Sequence, residues 1–270
     1  MPRTIPVKTL SWYCQHPDYF MVTAHRGASY EFPENTLLSM EKAIEAEADM
    51  IEFDVTSTKD GVPVILHDTT IDRTSDGNGL PGDFTLAELK TFNFSYWLQG
   101  ERRQTPAYDD VSIPTFEELL ESFHDKTNMN IQLHDEVEDE ETLRRICSLF
   151  VQYEMFDHAY LTVGPKQADI IMEINPGIEL CVTPPMPERS LPDNILMCKE
   201  KYHCRFIQPV REYTGQAEFA YMRVLGLRGN VFYTDDVEEM QRLRQLGATG
   251  IMTNKAHLLA QSARCGAACP

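Results

Sequence analysis

The most constraining feature of this sequence is its rhythm. Short apolar, β-rich runs fall at residues 20–25, 50–56, 62–67, 130–134, 159–163, 178–183, 205–210, 230–234 and 249–253. Amphipathic stretches with helical spacing lie between most of them, at 35–47, 138–153, 166–173, 216–225 and 236–246. Apolar residues every three to four positions make one face of a helix, whereas compact apolar runs of four to eight residues suit buried strands. Strand–helix alternation along the chain predicts a parallel sheet with crossover helices. Nine runs in 270 residues suit an α/β fold, a closed eight-stranded barrel with one accessory strand, as a single domain over 1–270. The 42% hydrophobic content supplies a core of that size.

Two stretches break the rhythm. Between the second and third runs there is no room for a crossover helix, and Asp60-Gly61 is a two-residue hairpin signal. These two strands are therefore expected to be antiparallel. With Asp60 and Gly61 as the whole loop, Lys59 faces Val62 and Asp54 lies directly across from His67, with Cβ atoms about 5 Å apart. The second break, 74–114, is too long for a plain βα loop. It predicts a small inserted subdomain after the hairpin that ends at His67-Asp68, with a short helix near 85–91, covering the barrel mouth. Its aromatics Phe94, Tyr96 and Trp97 read as subdomain packing rather than as a box for a cationic headgroup.

Charge and cysteine usage narrow the function classes. Lysine and arginine number 24 against 42 acidic residues, a formal charge of −18. Such a surface repels phosphate backbones and anionic headgroups, which argues against nucleic-acid partners and electrostatic membrane docking. A small anionic substrate then needs a local cation site. No apolar run approaches the ~20 residues of a membrane span, so no membrane insertion is expected, and the first residues lack the continuous apolar segment of a signal peptide. Seven scattered cysteines fit reduced thiols in a cytoplasmic protein better than a disulfide framework. Cys265 and Cys269, in a small-residue tail, read as free thiols rather than metal ligands. The expected partner is a small molecule, with the oligomeric state left open.

Four clusters sit where such a barrel carries its chemistry, at the C-terminal ends of strands or beside them. They are His25-Arg26-Gly27, Glu52-Phe53-Asp54, His67-Asp68, and Gln132 with His134. A lone histidine at a strand end is more often structural than catalytic. Glu52 and Asp54 are more telling, because period two points both carboxylates to one face and Phe53 to the other. Two like charges on a buried face need a compensating cation. Arg26 supplies it in the structural reading. In the functional one a divalent ion does, and oxygen ligands favour a hard metal such as Mg²⁺ or Ca²⁺. The functional reading gathers Glu52, Asp54, His25 and His67 around one dication at the barrel rim.

These residues resemble a known family. TAHRGASYEFPENT (23–36) and IEFDVTSTKDGVPVILHDTTIDRTSDGNG (51–79) are similar to the signature of glycerophosphodiester phosphodiesterases. So are FTLAELK (84–90), IPTFEELL (113–120) and VFYTDDVEEMQRLRQLGATGIMTN (231–254). The resemblance implies a TIM (β/α)8 barrel and metal-dependent hydrolysis of glycerophosphodiesters to sn-glycerol 3-phosphate and an alcohol. By matching positions it implies His25 and His67 as the acid–base pair, Arg26 on the phosphate, and Glu52 and Asp54 on the metal. Glu34 and Asn35 are expected to brace the loop and cap the helix. The chain departs from the family pattern on the fourth long run, where Glu-x-Lys is expected. Gln132 stands at the third metal position and His134 at the phosphate-side lysine, while Tyr233 replaces a usual tryptophan near the substrate. An amide in place of a carboxylate weakens hard-cation binding. A register shift that brings in Asp135 or Glu136 is the other way to supply the missing acid. The same departure keeps two alternatives open: a lyase or hydrolase of another polyol or sugar derivative, and a catalytically silent binding protein.

Overall fold

The computed structural model describes residues 7–134, 137 and 139–264. Its strands are β1 (Met21–Ala24), β2 (Met50–Ser57), β3 (Pro63–Ile65), β4 (Trp97–Leu98), β5 (Glu101–Arg102), β6 (Asn128–Leu133), β7 (Ala159–Val163), β8 (Leu180–Val182), β9 (Phe206–Ile207), β10 (Arg228–Val231) and β11 (Gly250–Thr253). Its helices are α1 (Leu10–Gln15), α2 (Leu37–Glu45), α3 (Leu86–Leu89), α4 (Phe116–Phe123), α5 (Glu140–Gln152), α6 (Pro165–Ile174), α7 (Pro192–Glu200), α8 (Gln216–Val224), α9 (Val237–Leu246) and α10 (Ala256–Arg264). Eight parallel strands pair in the order β8-β7-β6-β2-β1-β11-β10-β9, with β3 antiparallel on β2. β8 and β9 lie alongside each other, so the sheet nearly closes into a TIM barrel.

Alternation along β2 sorts its side chains. Ile51, Phe53 and Val55 join the apolar layer between sheet and helices, where the Phe53 ring meets Phe116 with centroids 6.1 Å apart. Each such fully buried side chain contributes roughly 1.5–3 kcal/mol. The period of two sends Glu52 and Asp54 to the opposite face, into the barrel. Side-chain oxygens of Thr36, Thr115, Asp139 and Asp236 accept backbone N–H groups at the starts of α2, α4, α5 and α9, fixing where each crossover helix begins. One end of the barrel is plugged: Leu10 and Tyr13 of α1 pack with Met21, Met50, Tyr160 and Phe206. The chemistry is left to the other end.

The hairpin register differs from the expected one by a residue. Val55 pairs with Ile65, Thr56 with Val64 and Ser57 with Pro63, and Leu66 N donates to the Asp54 carbonyl at 3.0 Å. Asp54 therefore lies across from Leu66, not His67. Thr58 is the cause. Its hydroxyl accepts from Val62 N at 2.9 Å and donates to Asp60 at 2.6 Å, which makes the loop three residues long, with Gly61 at φ +70°. A Gly in the left-handed region closes such a loop without strain.

Between β3 and α4 the chain forms a 3-10 turn (Pro81–Asp83), α3 and the small β4–β5 hairpin. Ile71, Leu89, Phe94 and Ile113 pack with Val64 and Leu66 into a separate apolar cluster. Periodicity gives no sign of the β4–β5 hairpin, nor of the short helices α1 and α7. Among the described residues no helix is long and apolar enough to cross a membrane, and Cys14, Cys147, Cys181, Cys198 and Cys204 are free thiols. Cys265, Cys269, Asp135 and Glu136 lie outside the described residues.

Candidate active site

His25 follows β1 directly and is buried, with its ring fixed from behind. Asn254, after β11, donates through Nδ2 to Asp235 at 2.9 Å, which turns its Oδ1 toward His25 Nδ1 at 2.8 Å. An amide oxygen only accepts, so Nδ1 carries the proton and Nε2 keeps its lone pair. Burial first, and the neighbouring Arg26 second, lower the imidazole to about 4, so the ring is neutral near pH 7. Tyr233 stacks on it at 5.4 Å, and Phe232 meets it edge-on at 5.6 Å.

Below the mouth lie the β2 carboxylates, Glu52 and Asp54, each 1% exposed. Arg26 sits over both. Its backbone N donates to Glu52 Oε2 at 2.9 Å, its Nε lies 3.5 Å from Asp54 Oδ2, and its Nη1 donates to Glu34 at 2.9 Å. Burial, then the charge of Asp54, push Glu52 well above the usual carboxylate range. Burial would also raise Glu34, but Arg73 and Arg26 outweigh it and bring that carboxyl to about 2. Asn35 Nδ2 donates to Asp54 Oδ2 at 2.9 Å. The helix cap belongs to Thr36, not Asn35: Thr36 Oγ1 accepts from Ser39 N. Bracing by Glu34 and Asn35 is observed, and capping by Asn35 is not.

His67 lines the same cavity as His25. Its Nδ1 lies 2.7 Å from Asp68 Oδ1, and Arg73 binds that carboxylate through Nε at 2.6 Å. Burial would raise Asp68, but these hydrogen bonds hold it below the ordinary range. Of the two imidazoles, His25 has its Nε2 4.0 Å from Glu52 Oε2, and His67 has its Nδ1 against Asp68. The cavity measures about 450 Å³ and is lined by His25, Arg26, His67, Arg73, Trp97 and Tyr233 among others. Trp97 thus reaches the mouth, with the Arg73 guanidinium 4.7 Å over its ring, while Phe94 packs internally. Gln132 and His134 line an adjoining space of about 310 Å³ that His67 also borders. The His134 and His67 rings are 6.1 Å apart, edge to face.

The family model of the glycerophosphoryl diester phosphodiesterase family matches residues 25–160. This chain belongs to that family. Its first 40%-identical relative, a glycerophosphodiester phosphodiesterase of Bacillus subtilis strain 168, aligns over 118 residues, 43% of this chain and 40% of the relative. A glycerophosphodiester phosphodiesterase of Caldanaerobacter subterraneus subsp. tengcongensis is 44% identical over 110 residues, 39% of this chain and 41% of the relative. The chain thus spans about two fifths of the length of these relatives. The fold is similar over a longer stretch. An Oleispira antarctica phosphodiesterase, solved in complex with the product sn-glycerol-3-phosphate, superposes with a TM-score of 0.76 at 23% identity, covering 92% of this chain and 98% of that one.

Glycerophosphoryl diester phosphodiesterase family membership raises the matter of a divalent cation, and the donor set fits one. Four carboxyl groups (Glu34, Glu52, Asp54, Asp68) face only two guanidinium groups (Arg26, Arg73), and the repulsion between Glu52 and Asp54 that helps raise Glu52 is what a cation between them would relieve. Glu52 Oε1 and Asp54 Oδ1 accept no hydrogen bond among the described residues. Among those residues no group of three His, Cys, Asp or Glu side chains is placed to hold a metal. The third oxygen available is the amide of Gln132, which pairs with Asp54 across the β2–β6 ladder. Oxygen donors suit a hard cation, and two carboxylates bind it less tightly than three.

Arg73, Asp68, Asn254 and Asp235 are the side chains to which the sequence reading gives no role. Asp68 and Arg73 sit inside the quoted HDTTIDRT motif, and Asp235 and Asn254 inside the C-terminal one. Their partners are supplied only by folding: Arg73 reaches Glu34 at 2.7 Å and Asn254 reaches His25 across 229 positions.

Proposed function

We propose that this chain is a metal-dependent phosphoric diester hydrolase that cuts glycerophosphodiesters into sn-glycerol 3-phosphate and an alcohol. The observation that carries the reading is a pair of imidazoles lining one cavity, each held through Nδ1, by Asn254 and by Asp68, with Nε2 left for substrate. Names of relatives and the product held by the Oleispira enzyme support the same substrate class. His25, neutral with a bare Nε2, takes the proton from the attacking group, either water or the substrate's own adjacent hydroxyl, the second route giving a cyclic phosphate that water then opens to glycerol 3-phosphate. His67, with Asp68 behind its Nδ1–H, gives a proton to the departing alkoxide. Arg26 Nη2, which makes no hydrogen bond among the described residues, pairs with a non-bridging phosphate oxygen, and Tyr233 and His134 border the bound diester. Glu52, Asp54 and Gln132 would hold a divalent cation such as Mg²⁺ or Ca²⁺, which when bound supplies positive charge for the phosphate. The free thiols suit a reducing cytoplasm.

The test is release of sn-glycerol 3-phosphate from glycerophosphoethanolamine. Release should require Mg²⁺, Mn²⁺ or Ca²⁺, stop with EDTA, and fall by about 10²–10⁴ in His25→Ala. No release from any diester with any of these metals would overturn the proposal, and release indifferent to EDTA would remove its metal.

A further inference from the structure

A second cavity, about 770 Å³, adjoins the catalytic one, and the two share Phe232, Tyr233 and Asp235 as a common wall. It is the larger of the two and opens on the same end of the barrel. Met186, Tyr213, the Arg211-Glu212 pair and Lys255 also line it. A phosphodiester whose phosphorus lies between His25 and His67 has two arms, and this space is adjacent to receive one of them.

The charges around it are unequally committed. Three carboxylates border the cavity. Asp235 accepts from Asn254 N and Thr253 through Oδ1 and from Asn254 Nδ2 through Oδ2. Asp236 caps α9 through Glu239 N at 2.7 Å, where the helix terminus offsets its charge. Glu212 is bonded to Arg211 at 2.6 Å. Lys255 differs: among the described residues its ammonium makes no ion pair and rests 4.4 Å from the centroid of the Tyr30 ring. An ammonium on an aromatic face is held in position but keeps donors for an anion. In a chain of net charge −18, this half-buried lysine of the second cavity has no carboxylate within ion-pair distance among the described residues, Glu31 feeling its charge only at longer range, and so offers a local cation to an anionic group.

We infer that the second cavity receives the leaving alcohol of the diester, and that Lys255 is a specificity-determining residue favouring alcohols that carry an anionic group. This rests on the hydrolytic reading above for its chemistry, and it goes further by naming the alcohol class.

Glycerophosphoserine and glycerophosphoethanolamine differ by one carboxylate and form a matched pair. The wild-type enzyme should prefer the serine diester in kcat/KM by about fivefold, the value of one partly exposed ion pair. Lys255→Gln should bring the ratio to about one, Lys255→Glu should reverse it, and Lys255→Arg should restore it. A ratio unchanged by Lys255→Gln, or a wild-type preference for the ethanolamine diester, overturns the inference. If neither diester is turned over, calorimetric binding of the two decides. A lysine-dependent preference for the serine compound supports the subsite while defeating the hydrolytic reading, and equal affinities overturn the subsite.

Discussion

In the proposed metal site, Gln132 is the residue that would set how strongly a cation is gripped. It stands level with Asp54 across the ladder, and its amide oxygen carries only a partial charge where a carboxylate would carry a full one. Ligand charge tunes hard-cation affinity over orders of magnitude. Gln132→Glu should therefore tighten Mg²⁺ or Mn²⁺ binding by about tenfold or more, measured by calorimetry on the protein without substrate. An unchanged affinity would show that position 132 lies outside the ligand set. The residues of one strand were readable without coordinates, since period two alone predicts that Glu52 and Asp54 share a face. Relations between strands were less so. The expected Asp54–His67 pairing failed because the Thr58 hydroxyl bonds Val62 N and adds a residue to the loop, and a one-residue slip exchanges the faces of a strand. No periodicity reports a side-chain hydrogen bond of that kind.

At the scale of elements, the turn after β1 is what aims Arg26. Arg26 has φ +56° and Gly27 φ +80°, so the chain leaves the strand through two successive left-handed residues. The turn lies against α2, whose capping-box residue Ser39 donates to the Arg26 carbonyl at 3.1 Å. A Cβ on Gly27 would come 2.5 Å from Ser39 Oγ and 2.6 Å from the Ser39 carbonyl carbon, an approach that backbone cannot relieve cheaply. Gly27→Ala should cost about 1–3 kcal/mol and lower Tm by about 2–4 °C per kcal/mol, while raising KM through the displaced Arg26. Thermal unfolding with wild-type stability would show that the turn tolerates a side chain and that this contact does not position Arg26. The HRG motif announced the turn, whereas the Ser39 contact that makes glycine necessary appears only once α2 has docked.

At the scale of the molecule, strand–helix alternation carried the barrel, because seven crossovers leave few other ways to bury nine apolar runs. The β4–β5 hairpin and α1 escaped it, being too short for either period to register. Closure of the barrel is what puts β11 beside β1, and so brings Asn254 behind His25. The hairpin of β2 and β3 delivers His67 and Asp68 to the same cavity. In the proposed reaction the two histidines act on one substrate from the same cavity with different partners, and different partners imply different roles. A general acid is needed only when the leaving alkoxide is a poor one. The direct measurement compares glycerophosphoethanolamine with a glycerol 3-phosphate p-nitrophenyl diester, whose leaving group departs without a proton. The expected result is that His67→Ala loses about 10² or more in kcat/KM on the ethanolamine diester but stays within about tenfold of wild type on the activated one, while His25→Ala is crippled on both. Equal losses by both variants on both substrates, or rescue of His25→Ala instead, would contradict the division of roles between the two imidazoles.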